Sequence, residues 1–204
     1  VAIYPSVVAQ PYLGFWGGVS YSKLSGDSPE NAFYKGLLSF AGGFNIDVKI
    51  SKSIYLSFQP SFLQEGTKVF YNIPFVYEPV DSARIRLNYV SMPVLLKVSS
   101  TNQRFYAIGG AEASYLTGSL LKTGTYEGSL DEDVSDVNIS VVFGAGLRIP
   151  VGFPRLCVEL RYAQGIVNLT NQTYKESYIP RVKSSGFKLN IGLEVPLKKI
   201  KTNK

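Results

Sequence analysis

Histidine is absent from all 204 residues, and cysteine, methionine and tryptophan occur once each. Without histidine there is no Ser-His-Asp or Cys-His chemistry, no imidazole metal site and no ordinary proton switch near neutral pH. A lone Cys157 cannot close an internal disulfide, and no Cys-x-x-Cys pair exists for zinc or thiol exchange. Long apolar runs are missing too. Stretches such as Val141-Val142-Phe143-Gly144-Ala145-Gly146-Leu147 fall far short of the roughly 20 residues of a membrane helix. A membrane could therefore be crossed only by a closed barrel. The formal charge is +6, but the basic residues are scattered or gathered at the C-terminus, without a basic stripe or an RNP-like pattern. Nucleic acid is not an expected partner, and no cofactor or metal is expected. Neither a basic n-region nor an apolar h-region follows Val1, so any secretory signal is expected to have been removed.

What is present favours strands: 14 Tyr, 12 Phe and 19 Gly suit β structure with many turns. The segment Phe187-Lys188-Leu189-Asn190-Ile191-Gly192-Leu193-Glu194-Val195-Pro196-Leu197 is apolar at every odd position, a period of two that gives a strand one greasy and one polar face. Seven further segments alternate in this way, near Tyr12–Ser22, Leu37–Ile50, Ser53–Glu65, Ile85–Val98, Arg104–Leu116, Val137–Ile149 and Arg155–Ile166. Their connections alternate in length. Ser51-Lys52, Ser99–Gln103 and Pro150–Pro154 are short, while Lys23–Gly36, Gly66–Arg84, Thr117–Asp136 and Val167–Gly186 are long. Tight turns at one end and long loops at the other mark an up-and-down barrel of the outer membrane.

The two faces identify the solvent each one meets. In the second segment Leu38, Phe40, Phe44, Ile46, Val48 and Ile50 oppose Ser39, Ala41, Gly43, Asn45, Asp47 and Lys49. In the seventh, Leu156, Val158, Leu160 and Tyr162 oppose Cys157, Glu159, Arg161 and Ala163. The polar face is rich in small residues with charges of both signs, which suits the narrow, filled lumen of eight strands. The expectation is an all-β, eight-stranded antiparallel transmembrane β-barrel of OmpA or OmpX size. It would span residues 12–197, with 1–11 and the basic tail 198–204 both in the periplasm of a bacterial outer membrane.

Nine charges are predicted to face inward: Asp47, Lys49, Lys97, Glu112, Arg148, Glu159, Arg161, Lys188 and Glu194. Buried ions must be paired and hydrogen-bonded, so these predict a structural plug. A proton path, or a carboxylate pair of Glu159 with Glu194, is the functional alternative. Cys157 shares the inward face and is read as a small packing residue. The loop Gly66–Arg84 concentrates aromatics, among them Phe70, Tyr71, Phe75 and Tyr77. They form either a contact surface for a partner or a hairpin whose rings stack on one another. The acidic residues Glu127, Asp131, Glu132, Asp133 and Asp136 lack Asp-x-Asp-x-Asp-Gly spacing and read as a solvated loop. On the fifth segment Phe105 and Tyr115 bracket Ala107, Gly109, Ala111 and Ala113, a flat outward strip where another membrane protein could approach closely, or lipid simply lies. Lipid and lipopolysaccharide are expected partners, together with an outer-membrane protein.

Four sequence segments resemble the outer-membrane β-barrel family typified by PorT in Bacteroidota. They are the glycine-rich opening strand Gly14–Asp27, the Tyr-x-x-x-Pro-x-Leu-Leu-Lys strand from Tyr89 to Lys97, and Tyr106–Gly110 with Arg161–Asn168. One departure is that the last strand closes on Leu197 rather than on an aromatic residue. The resemblance implies an eight-stranded barrel in a Gram-negative outer membrane and a non-enzymatic structural or accessory role, as in secretion or assembly. A lipid-modifying or proteolytic barrel enzyme and a soluble ligand-binding barrel remain the alternatives.

Overall fold

The computed structural model describes residues 11–27, 31–71, 80–124, 126–130, 134–152, 154–170 and 181–197, with 80–82 as backbone alone. Among the described residues ten strands follow one another: β1 (Tyr12–Gly26), β2 (Ala32–Lys49), β3 (Ile54–Phe58), β4 (Ser61–Tyr71), β5 (Val80–Ser99), β6 (Phe105–Thr123), β7 (Tyr126–Gly128), β8 (Val137–Pro150), β9 (Arg155–Gly165) and β10 (Val182–Pro196). All pairings are antiparallel, and β1 pairs with both β2 and β10, so the sheet closes on itself. β3 and β4 both lie between β2 and β5. They form one stave interrupted at Gln59-Pro60, where proline has no amide hydrogen to donate. The interruption is bridged: Gln59 N–H donates to Pro93 O and Phe44 N–H to Pro60 O, both at 3.0 Å. The short β7 pairs with the outer end of β6. The ring therefore has eight staves.

Its stagger follows from the register. Stepping between directly opposed residues from Lys49 gives Tyr55, Lys97, Ile108, Gly144, Arg161, Lys188, Ser20 and then Ser39. The walk leaves β2 at residue 49 and returns to it at residue 39, a shear of ten residues. With ordinary strand spacings, eight staves and this shear give a tilt of about 40°.

The burial is inverted relative to a soluble sheet. Along β5 the outward residues Val90, Met92, Val94, Leu96 and Val98 are 40–56% exposed, while their inward neighbours Tyr89, Ser91, Leu95 and Lys97 are at most 1% exposed. Phe15, Phe40, Phe44, Phe62, Phe143, Leu160, Phe187 and Ile191 are likewise exposed on the outside. An apolar surface this continuous is far beyond the patches a soluble monomer tolerates. From Val90 to Val98 it runs about 27 Å along the strand, matching a lipid-facing band once tilt is included. The greasy face predicted from alternation is the outside of the ring.

The strands run further than alternation suggested. β1 continues past Ser22 to Gly26, β2 begins at Ala32, β4 reaches Tyr71, β6 reaches Thr123 and β10 begins at Val182. The long connections are correspondingly shorter. On β1 and β10 the alternation continues unbroken, but outward positions such as Lys23 and Lys183 turn polar, so the contrast between faces fades. Around β2, β5 and β6 the cause is a set of bulges between Gly36 and Ala41, between Val69 and Phe70, and between Asn88 and Tyr89. Each inserts an extra residue and swaps the faces, so a strict period of two fails just where the strand goes on.

Candidate functional site

Charged side chains fill the interior in two clusters. Nearer the short turns, Lys97 Nζ lies 2.9 Å from Asp47, 3.1 Å from Glu159 and 3.4 Å from Glu194. Arg148 pairs with Glu194 at 3.3 Å and Asp47 at 3.7 Å, and donates to Ser99 Oγ at 2.9 Å. Arg161 pairs with Glu159 and donates to Gln59 Oε1 at 2.8 Å. Three cations thus face three carboxylates, and neutral groups take up the remaining lone pairs. Ser57 donates to Asp47 at 2.5 Å, Tyr106 to Glu159 at 2.7 Å, and Asn45 to Glu194 at 3.2 Å. Aromatic faces cover the cations: Arg148 lies 4.5 Å from the Tyr106 ring centre and 4.9 Å from that of Tyr55, and Arg161 lies 5.7 Å from that of Trp16. Pairing, hydrogen bonding and ring contact are the three ways of offsetting the desolvation of buried ions.

Toward the long loops, Lys188 bonds Glu112 at 2.6 Å. Glu65 is also buried and feels the charges of both members of this pair. Glu65 shares the inward row of β4 with Leu63 and Thr67, yet it was missing from the expected charge set. Lys49 moves the other way. It stands at the end of β2, half-buried, with its ammonium 5.8 Å from the Tyr55 ring centre instead of within the network. A long stem at the last residue of a strand lets its charge snorkel toward the rim. The other eight predicted residues are all buried in the interior. Glu159 and Glu194 share the Lys97 ammonium, but each is also held by an arginine, an arrangement that neutralises them instead of offering them to a substrate. Cys157 is buried in the same wall.

The space left is small. An internal cavity of about 10 Å³ lies among Trp16, Asn45, Gln59, Lys97, Arg161 and Glu194, room for no more than one water. Trp16, Tyr89 and Tyr106 are inward residues that the sequence reading did not place; the alternation that places Asp47 and Arg148 applies to them equally. Tyr106 depends on Gly146 directly across the sheet, where an added Cβ would come to 2.4 Å from the ring and 2.6 Å from its hydroxyl. Gly146→Ala is therefore expected to displace the ring and weaken its bond to Glu159, lowering stability by about 1–3 kcal/mol. Urea titration of the folded barrel checks this. Unchanged stability would mean that Tyr106 does not need that gap.

The outer surface offers two further features. Phe105, Ala107, Ala111, Ala113 and Tyr115 are exposed, and Gly109 lies level with them on β6. Ala107 stands opposite Ala145, and the missing bulk leaves a hollow of about 530 Å³ walled by Val98, Phe105, Leu147, Val158 and Leu160. Beside it, Phe143, Tyr162 and Phe187 pack with tilted rings, centres 5.2 and 5.0 Å apart. At the long-loop end Phe70 stacks on Phe33 at 5.6 Å and 17°, with Lys35 Nζ 4.4 Å from its ring centre. Phe70 thus belongs to a strand extension with stacked rings, and Tyr71 ends that strand. Phe75 and Tyr77 lie outside the described residues, as do Asp131, Glu132, Asp133 and the tail 198–204. Glu127 forms a 2.5 Å pair with Lys122, which holds its carboxyl below the usual range. Among the described residues no group of three or more Cys, Asp or Glu is placed to hold a metal.

Residues 9–171 match the family model described as outer membrane protein beta-barrel domain. The structure is similar to Neisserial surface protein A, with TM-score 0.54, 12% identity, and coverage of 89% of this chain and 96% of that one. It is similar to the outer membrane protein AlkL determined in lipid bilayers, with TM-score 0.54, 14% identity and complete coverage of both chains. It also resembles OprG from Pseudomonas aeruginosa, with TM-score 0.49, 10% identity, and coverage of 93% and 97%. The comparison with curated proteins gives no match.

Proposed function

Because this chain belongs to the outer membrane protein beta-barrel domain family, we propose that it is a closed, non-enzymatic barrel serving as a structural or accessory subunit of an outer-membrane complex. The observation that carries this reading is the buried ion network across the lumen, whose charges are consumed by one another around a cavity of only about 10 Å³. A function is then left to the outer wall and the long-loop end. The absence of histidine and the neutralised carboxylates support a non-enzymatic role. Both termini lie in the periplasm, because outer-membrane barrels keep their short turns on that side and Tyr12 and Pro196 are at the short-turn end. The strand from Tyr89 to Lys97 supports placement with the PorT-like barrels of Bacteroidota, some of which serve protein secretion.

The strip of Ala107, Gly109 and Ala111, with the hollow beside Ala107, is the proposed docking face for another membrane protein, since small residues let two surfaces approach closely. A photo-cross-linking residue at Gly109 or Ala111, in native outer membranes, is expected to give one discrete protein adduct. The same residue at Met92 is expected to capture lipid. Lipid capture alone at all three positions would overturn the accessory role, and stepwise conductance in a planar bilayer would overturn the closed lumen.

A further inference from the structure

The short-turn mouth of the barrel carries positive charge without an answering carboxylate. No Asp or Glu occurs in residues 1–26, 48–64, 82–111, 137–158 or 195–204, so none lies in or beside a short turn in the sequence. The carboxylates that approach this end are Asp47, Glu159 and Glu194, and they belong to the balanced network around Lys97, Arg148 and Arg161. Two cations stand outside that balance, Arg104 and Arg155. Glu194 faces Arg155 across the sheet, yet its carboxylate is held by Arg148, Lys97 and Asn45 instead. Among the described residues neither Arg104 nor Arg155 forms an ion pair.

The two arginines converge. Arg148 N–H donates to Arg104 O at 2.7 Å, and Arg148 stands opposite Cys157, two residues from Arg155 on the same face. Arg104 and Arg155 thus flank β8 from either side, with backbones roughly 12 Å apart. Between them lies a hollow of about 450 Å³, floored by Arg148 and edged by Asn102, Gln103 and Pro150. The Arg155 guanidinium lies 5.0 Å from the Tyr12 ring centre, and Tyr12 packs edge-on against Tyr55 at 6.0 Å. Ring contact steadies a guanidinium without using its N–H donors.

The neutral side chains are turned the same way. Asn102 Oδ1 takes the Arg104 backbone N–H at 3.1 Å and sits 2.7 Å from Ser100 Oγ. Gln103 Oε1 accepts from the Tyr55 hydroxyl at 3.3 Å. Each amide spends its oxygen on the protein, and its NH2 group remains to donate. Gln103 is moreover held at φ 55°, a conformation that glycine adopts without cost, so a side chain is kept where the backbone would favour none. Two guanidiniums and two amides therefore line the hollow as donors, and no carboxylate competes for them.

We propose that Asn102, Gln103, Arg104 and Arg155 form a binding site for a phosphate group. Arginine forks match phosphate oxygens two at a time. A tetrahedral phosphate accepts from both turns at once, whereas one fork already fills a planar carboxylate. Phe105, the outward neighbour of Arg104, is exposed where the apolar band of β6 ends, which sets the hollow level with lipid headgroups. The phosphate is that of an anionic headgroup or of a small soluble ester. Neither source depends on the docking face of β6 or on which way the barrel points.

The test compares the purified full-length barrel with a variant carrying Arg104→Gln and Arg155→Gln, both in a maltoside detergent. Inorganic phosphate is titrated by calorimetry and phosphatidylglycerol by native mass spectrometry, with a tetraglutamate peptide as the carboxylate probe. The variant is expected to bind the phosphate-bearing probes roughly tenfold more weakly. That loss for phosphatidylglycerol supports the site with a headgroup as its source; the loss for inorganic phosphate alone supports it with a soluble ester. Equal affinities in parent and variant, or no binding of either phosphate probe, would overturn the proposal. Tetraglutamate held by the parent as tightly as phosphate would overturn it too, in favour of an acidic protein segment. Should the double variant not fold, Arg104→Gln alone removes an exposed side chain and is expected to lose about threefold; no loss there counts equally against the site.

Discussion

Lys97→Met is expected to cost the barrel roughly 3–5 kcal/mol of folding stability, because it removes one partner of a buried ion network and leaves the others in place. Three carboxylates share the Lys97 ammonium within 3.4 Å. After substitution Arg148 still meets Glu194 and Asp47, and Arg161 still meets Glu159, but three anions then face two cations in a wall closed to water. Adding Glu159→Gln restores the balance and should recover much of the loss, since a neutral replacement of comparable shape often matches a buried pair. Trp16 is the sole tryptophan and lies beside Arg161, so its emission during urea titration in lipid vesicles reports on this part of the lumen directly. A loss below about 1 kcal/mol, the range of an exposed ion pair, would mean that the cluster is not what holds the wall together.

The second large effect tests which solvent meets the apolar face. Val94 is the middle member of the outward row on β5 and is 40% exposed. Val94→Arg places a guanidinium near the centre of the lipid-facing band, where such a charge costs about 2–4 kcal/mol. The same change at Thr101, in an exposed turn, should stay within about 0.5 kcal/mol. Folding into bilayers of the two variants, followed side by side, gives the comparison. If Val94→Arg folds as readily as Thr101→Arg, that face meets water and the barrel is not a membrane protein.

Much of this architecture can be read in the sequence, and the reason is physical. Wherever a strand is unbroken, period two assigns every side chain to lipid or lumen, which is why Phe40 and Asp47 or Leu160 and Arg161 were separable at sight. The assignment of Lys97, Arg148 and Lys188 to the interior follows from that rule alone. Alternation carries no information about what happens after a bulge, so the outer ends of β2 and β6, with Lys35 and Lys122, were hidden inside presumed loops. Nor does it say how far a long side chain reaches. Lys49 holds an inward position yet lifts its charge to the rim, whereas the shorter Glu65 stays buried. Trp16 and Tyr106 escaped notice for another reason: in a membrane barrel aromatic residues suggest interfacial belts, and these two instead cover buried cations. The hollow beside Ala107 depends on Ala145 from another strand, a pairing that only the register reveals.

The pairing of β1 with β10, from Tyr12 opposite Pro196 to Gly26 opposite Val182, fixes the timing of assembly. Before β10 is in place, the other seven staves can form only an open sheet with two bare edges. Neither edge can dwell in hydrocarbon, where every unpaired amide and carbonyl group costs several kcal/mol. The chain therefore cannot be threaded into the bilayer strand by strand as it is made. It must wait, protected, until its final stretch has been delivered, and closure and entry then become a single event. The fifteen residues of β10 act as a latch, and a chain cut before Val182 is expected to remain outside the membrane, whatever the quality of the seven staves that precede it.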